Sequence, residues 1–223
     1  MNFDAILFDG DGVVFDSEEL SILAFRLTLE QHGIFYARHE CGRFIGRGTA
    51  ELLDEIGREK GCAIELERYV RERDDVYEQC CRDINGPHLL PGATDLLAWL
   101  ETRRIPYAMA SSASPRKLEW NLSRTGLTSR FTTRVNGDEI TRGKPAPDIF
   151  IEAARRLGVD IRRCLVVEDS VNGLKGAIAG GATPIGIEGS HHRDELAVYT
   201  KRIYRSLAGL LEALNSPDFL NNS

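Results

Sequence analysis

Four short runs of apolar residues punctuate the chain: Ala5-Ile6-Leu7-Phe8, Tyr107-Ala108-Met109-Ala110, Leu165-Val166-Val167 and Ile185-Gly186-Ile187. None alternates with polar residues, which is the pattern of parallel strands covered on both faces. Between them the apolar spacing turns helical, over 93–103, 115–125, 147–157 and 171–179. Pro91-Gly92 and Ser114-Pro115 mark two helix starts, and Gly126 and Gly158 mark two stops. Strands and helices alternating at this spacing predict an α/β protein built on a doubly wound parallel sheet with right-handed crossovers.

One interval breaks the rhythm. From Asp16 to about Gly86 only helical pattern is found, in three stripes: Leu20, Leu23, Ala24 and Leu27; Leu52, Leu53 and Ile56; Tyr69, Val70, Val76, Tyr77 and Cys80. Glycines 33, 46, 48, 57 and 61 punctuate it, and Asn85-Gly86-Pro87 reads as the return linker. The interval is far longer than an ordinary crossover, so it predicts a separate helical insert. The expected division is a core of 1–15 and 88–223 and an insert of 16–87. The tail after Ser216 reads as a frayed end.

The candidate chemistry stands where the apolar runs stop. The first run ends in Asp9-Gly10-Asp11-Gly12, the second in Ser111-Ser112 and the third in Glu168-Asp169-Ser170. In a doubly wound sheet the carboxyl ends of the strands converge on one crevice. Four carboxylates and a hydroxyl pair would therefore share one small volume. Two such acids ~4 Å apart repel by about 4 kcal/mol at an effective dielectric near 20, so several pairs together call for protons or a cation to offset them. An all-oxygen set favours a hard ion, Mg²⁺. Lys144, in Gly143-Lys144-Pro145, is the expected basic partner. The other acids have local explanations: Asp16 as a helix N-cap with Glu19 completing a capping box, and Asp148 in the first turn of a helix. His191 and His192 have no spaced partner and read as a loop pair.

Composition narrows the partners. The chain has 223 residues, 42% of them hydrophobic and 28% charged, an ordinary globular balance. Its net charge of −6 disfavours nucleic acid and anionic membranes as partners. No apolar stretch approaches the roughly 18–20 residues of a membrane span, and Met1 to Gly10 has no basic residue to begin a signal peptide. Five cysteines, 41, 62, 80, 81 and 164, without a C-x-x-C pair, read as reduced thiols of a cytoplasmic protein rather than disulfides or a zinc site. A monomer is the default expectation.

At these residues the sequence resembles a known family. Phe8-Asp9-Gly10-Asp11-Gly12-Val13-Val14-Phe15-Asp16-Ser17-Glu18 resembles the opening motif of the haloacid dehalogenase superfamily. Ser111, Lys144 with Pro145-Ala146-Pro147-Asp148, and Glu168-Asp169-Ser170 resemble its second, third and fourth motifs, in the family's order. The helical insert resembles the cap of the β-phosphoglucomutase and phosphoglycolate phosphatase-like branch. The resemblance implies a Rossmann-like core with an inserted helical cap, and phosphoryl transfer through an aspartyl-phosphate.

By matching position, Asp9 would be the nucleophile and Asp11 the general acid/base, with Ser111 and Lys144 on the phosphate. Asp9, the Asp11 carbonyl, Glu168 and Asp169 would hold Mg²⁺. Gly10 and Gly12 would let backbone amides approach the phosphate, and Ser112 would add a donor. Specificity is expected from the cap, through Arg47 and Thr49 of the Gly46-Arg47-Gly48-Thr49 loop and Arg73. Arg73 interrupts an apolar stripe, either snorkelling to solvent or facing the substrate.

The leading expectation is a Mg²⁺-dependent phosphatase of small phosphorylated metabolites, sugar phosphates foremost. A phosphomutase is the nearest rival, but the mutase pattern's cap histidine and arginine positions hold Ser21 and Thr49 here. Dehalogenation needs no metal. A phosphonatase would need a buried cap lysine, and Lys60, the cap's only lysine, stands at a helix end. A phospho-accepting regulator without turnover would need neither the cap nor Asp11.

Overall fold

The computed structural model describes residues 3–44, 49–216 and 219. Six parallel strands form one sheet in the order β5-β4-β1-β6-β7-β8: β1 (Ala5–Phe8), β4 (Tyr107–Ala110), β5 (Arg134–Val135), β6 (Cys164–Glu168), β7 (Thr183–Ile187) and β8 (Ile203–Tyr204). The chain steps outward from β1 to β4 and β5, then returns to the other side of β1 for β6, β7 and β8. The strand order therefore reverses between β1 and β6, whose register pairs Ala5 with Cys164 and Phe8 with Val167. This is an α/β Rossmann-like fold. All four predicted strands form, and their period-2 geometry sorts their side chains into two cores.

Ile6, Phe8, Met109, Val167 and Ile185 pack on one face with α4 (Ala93–Arg103), α5 (Pro115–Arg124) and α9 (Leu207–Leu214). Ala5, Leu7, Ala108, Ala110 and Val166 pack on the other with α6 (Asp148–Leu157) and α7 (Val171–Gly180). Alanines on this second face let α6 lie close over β1 and β4. Each fully buried leucine, isoleucine or phenylalanine contributes about 1.5–3 kcal/mol relative to exposure. Ser114 caps α5 by accepting from the Lys117 N–H, with Pro115 preset at the first helical position.

The interval predicted as helical folds as α1 (Glu18–Gln31), α2 (Thr49–Lys60) and α3 (Leu66–Asp83). Phe25, Leu29, Leu52, Ile56 and Tyr69 form a core of their own. Leu20, Ala24, Tyr77 and Cys81 form a second, into which Trp120 of α5 packs from the sheet side. One expectation is overturned. Asp16 does not cap α1: it lies in β2 (Phe15–Asp16), paired antiparallel with β3 (His88–Leu89). Extended pairing with His88 takes Asp16 out of reach of the helix, which begins two residues later with Ser17 at its N-cap and no side-chain cap bond. Glu19 instead pairs with Arg38. A short helix, α8 (Arg193–Leu196), has His192 at its N-cap and His191 in the loop before it. The predicted frayed tail, like Arg47, lies outside the described residues apart from Phe219.

No helix among the described residues is long and apolar enough to cross a membrane. None of the five cysteines is in a disulfide, and only Cys62 is exposed.

Candidate active site

The acids that follow β1 and β6 meet at the reversal point of the sheet. Asp9 is buried, its N–H donating to the Val167 carbonyl at 2.9 Å, so sheet pairing itself sets the start of the loop. Lys144, also buried, donates to Asp9 Oδ1 at 2.5 Å, to Glu168 Oε1 at 2.6 Å and to the Ala110 carbonyl at 3.2 Å. One lysine thus joins the ends of β1, β4 and β6. The other oxygen of Glu168 accepts from the N–H groups of Asp169 and Ser170 and from Ser170 Oγ at 2.9 Å. Ser170 also caps α7, accepting from the Gly173 N–H at 3.0 Å.

Two glycines have no substitute here. A Cβ on Gly12, at φ +75°, would fall 2.0 Å from Asp169 Oδ2. One on Gly173 would fall 1.8 Å from Glu168 Cδ. The Gly173→Ala variant is expected to expel Glu168 from its turn and destabilise the protein by about 1–3 kcal/mol, measurable by urea denaturation. An unchanged midpoint would show that Glu168 is free to move.

Carboxylate oxygens of Asp9, Glu168 and Asp169 lie within 4.8 Å of one another, all on buried residues. Burial pushes Asp9 up to about 7; Lys144 opposes this, and Glu168 adds to it. Burial, with the charges of Glu168 and Asp9, likewise raises Asp169, against the hydrogen bonds from Ser190. A single lysine leaves this cluster short of positive charge. Each carboxylate oxygen has two lone pairs, so the existing hydrogen bonds leave capacity for a cation. The all-oxygen donor set fits Mg²⁺.

Asp11 stands apart from that cluster, its side chain 28% exposed. Lys117 Nζ donates to its Oδ2 at 2.6 Å, and Ser17 Oγ donates to its Oδ1. Burial alone would raise its pKa, but the charge and hydrogen bond of Lys117, with the Ser17 hydroxyl, outweigh burial and hold it below the ordinary aspartate value. Ser111 is buried, and its Oγ sits 3.1 Å from where a Gly10 Cβ would be, so it packs against the loop after β1. Ser112 reaches the cavity wall.

Above this floor lies a cavity of about 180 Å³, partly roofed by residues of α1, α2 and α3. Its far wall mixes Ile22, Phe25 and Leu52 with Glu18, Thr49 and Arg73. Arg73 does not snorkel to solvent: its side chain is 15% exposed and donates to Thr49 Oγ1 at 2.8 Å. Of the sequence-predicted residues, only Arg47 lies outside the described residues. Among the charged and hydroxyl-bearing wall residues, Lys117, Ser190 and Glu18 were not anticipated as part of the site. Ser190 donates to Asp169 Oδ2 through its N–H at 3.1 Å and through its hydroxyl. The signal for Lys117 was its place one turn after Ser114-Pro115, at the head of a helix that follows a strand end.

Residues 3–181 match the haloacid dehalogenase-like hydrolase family. The chain belongs to that family. It is 29% identical over 221 residues to the bifunctional riboflavin kinase/FMN phosphatase of Arabidopsis thaliana; the match covers 98% of this chain and 56% of that protein, so this chain spans little more than half of that relative. It is 29% identical over 182 residues to the phosphorylated carbohydrates phosphatase of Thermotoga maritima, covering 80% of this chain and 82% of the other. The solved structure of CbbY from Rhodobacter sphaeroides in complex with phosphate superposes with a TM-score of 0.84 at 28% identity, covering 93% of this chain and 96% of that one.

Proposed function

We propose that this protein is a Mg²⁺-dependent phosphatase of small phosphorylated metabolites, sugar phosphates foremost, acting through an aspartyl-phosphate on Asp9. The observation that carries the reading is the buried convergence of Asp9, Glu168 and Asp169 around Lys144, at the floor of a cavity with Asp11 on its wall. The Thermotoga relative is a phosphatase of phosphorylated carbohydrates, and CbbY holds phosphate in its structure. The cavity volume suits a small ester. In this reading residues 16–87 serve as a cap on a core of 1–15 and 88–223.

Asp9, Asp169, the Asp11 carbonyl and Glu168 would hold the ion. Bound there, Mg²⁺ supplies the positive charge that lets an anionic nucleophile meet an anionic phosphate. The chain's own residues do the rest. The Asp9 carboxylate attacks phosphorus, and the P–O bond to the leaving group breaks. Lys144 neutralises the attacking carboxylate and the equatorial oxygens together. Ser111, Ser112 and the amides around Gly10 receive the phosphate. Asp11, which Lys117 and Ser17 hold below the ordinary aspartate value, would first take a proton from solvent, give it to the departing oxygen, and then take one from the water that hydrolyses the acyl-phosphate. Seating of α1–α3 excludes bulk water during the first step.

The mutase alternative lacks support at Ser21, which accepts a hydrogen bond from Lys117 and cannot act as a base as histidine does. Lys60, paired with Glu59 beside the Tyr36 ring, has its pKa raised by the hydrogen bond to Glu59, the opposite of a Schiff-base lysine. The test is a screen of phosphorylated metabolites for released phosphate, with Mg²⁺ and with EDTA. Phosphate release from sugar phosphates that EDTA abolishes is the expected result. Isomerised sugar phosphate without free phosphate would establish the mutase, and turnover surviving EDTA would remove the metal from the account.

A further inference from the structure

The two oxygens of Asp169 stand in different surroundings. Oδ2 accepts from the Ser190 N–H at 3.1 Å and from the Ser190 hydroxyl. Backbone closes over the same oxygen: a Cβ on Gly189 would lie 3.0 Å from Oδ2 and 3.2 Å from the Gly12 carbonyl oxygen. The loop after β7 and the loop after β1 thus enclose Oδ2 from two sides, and Asp169 is buried. Oδ1 accepts no hydrogen bond from the described residues. Asp9 shows the same division, because Lys144 takes its Oδ1 while none of the described residues donates to its Oδ2. Fixed donors therefore occupy one oxygen of each aspartate and leave the other open.

We propose that Ser190 is a positioning residue: by occupying Oδ2 it restricts Asp169 to one ligand oxygen, and so tunes the site for Mg²⁺ against the larger Ca²⁺. This rests on the reading of the acids as a Mg²⁺ site. The two ions ask different things of a carboxylate. Mg²⁺ demands a near-octahedral set of oxygens at about 2.0–2.1 Å. Ca²⁺ takes roughly 6–8 oxygens at about 2.3–2.6 Å and readily draws both oxygens of one carboxylate. To offer both, Asp169 must withdraw Oδ2 from Ser190. That breaks two hydrogen bonds to an ionised acceptor, which are the stronger kind, and deprives the Ser190 N–H and hydroxyl of the acceptor they share. A ligand offering Oδ1 alone keeps both bonds. The same pair of donors fixes the rotation of the carboxylate, and outer partners of this sort orient a metal ligand and raise the affinity of its site. Without the hydroxyl, Asp169 is held by the N–H alone and can turn both oxygens toward a large ion.

Thermal melting of the metal-free protein in rising MgCl₂ or CaCl₂, with no substrate present, reads the affinity for each ion through the stabilisation it confers. Ser190→Ala removes the hydroxyl and keeps the N–H, whereas Ser190→Thr keeps both donors. In Ser190→Ala the dissociation constant for Mg²⁺ is expected to rise about tenfold. That for Ca²⁺ is expected to change less than about twofold, because the freed oxygen offsets the lost orientation. The preference then shifts about fivefold or more toward Ca²⁺. Ser190→Thr is expected to keep the wild-type preference within about twofold. Equal weakening for both ions, which a merely structural role would produce, would overturn the proposal. So would a threonine variant that behaves like the alanine one. A wild-type protein that Mg²⁺ does not stabilise would remove the metal reading and the proposal together. A wild-type response to both ions that Ser190→Ala shares in full would remove the proposal alone.

Discussion

Replacing Asp9 with asparagine is expected to lower phosphate release by on the order of 10⁴-fold or more, while the protein stays folded. The substitution is isosteric, and the asparagine side-chain oxygen can still accept from Lys144, so the joint between β1, β4 and β6 survives. What is lost is the negative oxygen that attacks phosphorus, and no neighbour replaces it. Glu168 is held by Lys144 and by the turn at the head of α7, and Asp11 is turned toward Lys117 and Ser17. Circular dichroism and thermal melting, compared with released phosphate, separate the two effects. Turnover near the wild-type rate would show that Asp9 is not the nucleophile.

Lys144→Met is expected to damage both stability and rate. Lys144 is 9% exposed and lies between Asp9 and Glu168, with the Phe150 ring centroid 5.1 Å from its ammonium. Its removal leaves two buried carboxylates facing each other with no cation, and breaking such a pair costs about 3–5 kcal/mol. The rate falls as well, because no fixed charge then offsets repulsion between Asp9 and the substrate phosphate. The losses separate by condition. Denaturation without divalent metal reads the stability loss, and kcat at saturating Mg²⁺ reads the catalytic one. Wild-type stability in the metal-free variant would mean that the acids relax apart and that Lys144 is not their common partner.

Much of the architecture was legible because burial on both faces leaves a simple trace. Strands β1, β4, β6 and β7 contain the apolar runs, and the acids of the site are the first polar residues after the runs of β1 and β6. The edges were not legible. Strands β5 and β8 are two residues long and carry Arg134 and Tyr204, so they leave no apolar run. The pairing of Asp16 with His88 joins residues far apart in sequence, and a local motif took precedence in the sequence reading. Lys117 was missed for the same reason. Its partner Asp11 is 106 residues away, and only the packing of α5 beneath α1 and α3 brings them together. Ser190 likewise reaches Asp169 across 21 residues and the whole of β7. The charged centre was readable because it is built from strand ends, whereas the groups that orient it come from helices and loops whose facing depends on the tertiary fold.

The central claim is that Asp9 carries the phosphoryl group during turnover. Acid quenching within the first turnover of p-nitrophenyl phosphate with Mg²⁺, followed by proteolysis and mass spectrometry, tests it directly. The account predicts a phosphorylated aspartate in the peptide that contains Asp9, and none when Mg²⁺ is replaced by EDTA. Steady phosphate release with no such adduct, or an adduct on another residue, would contradict it.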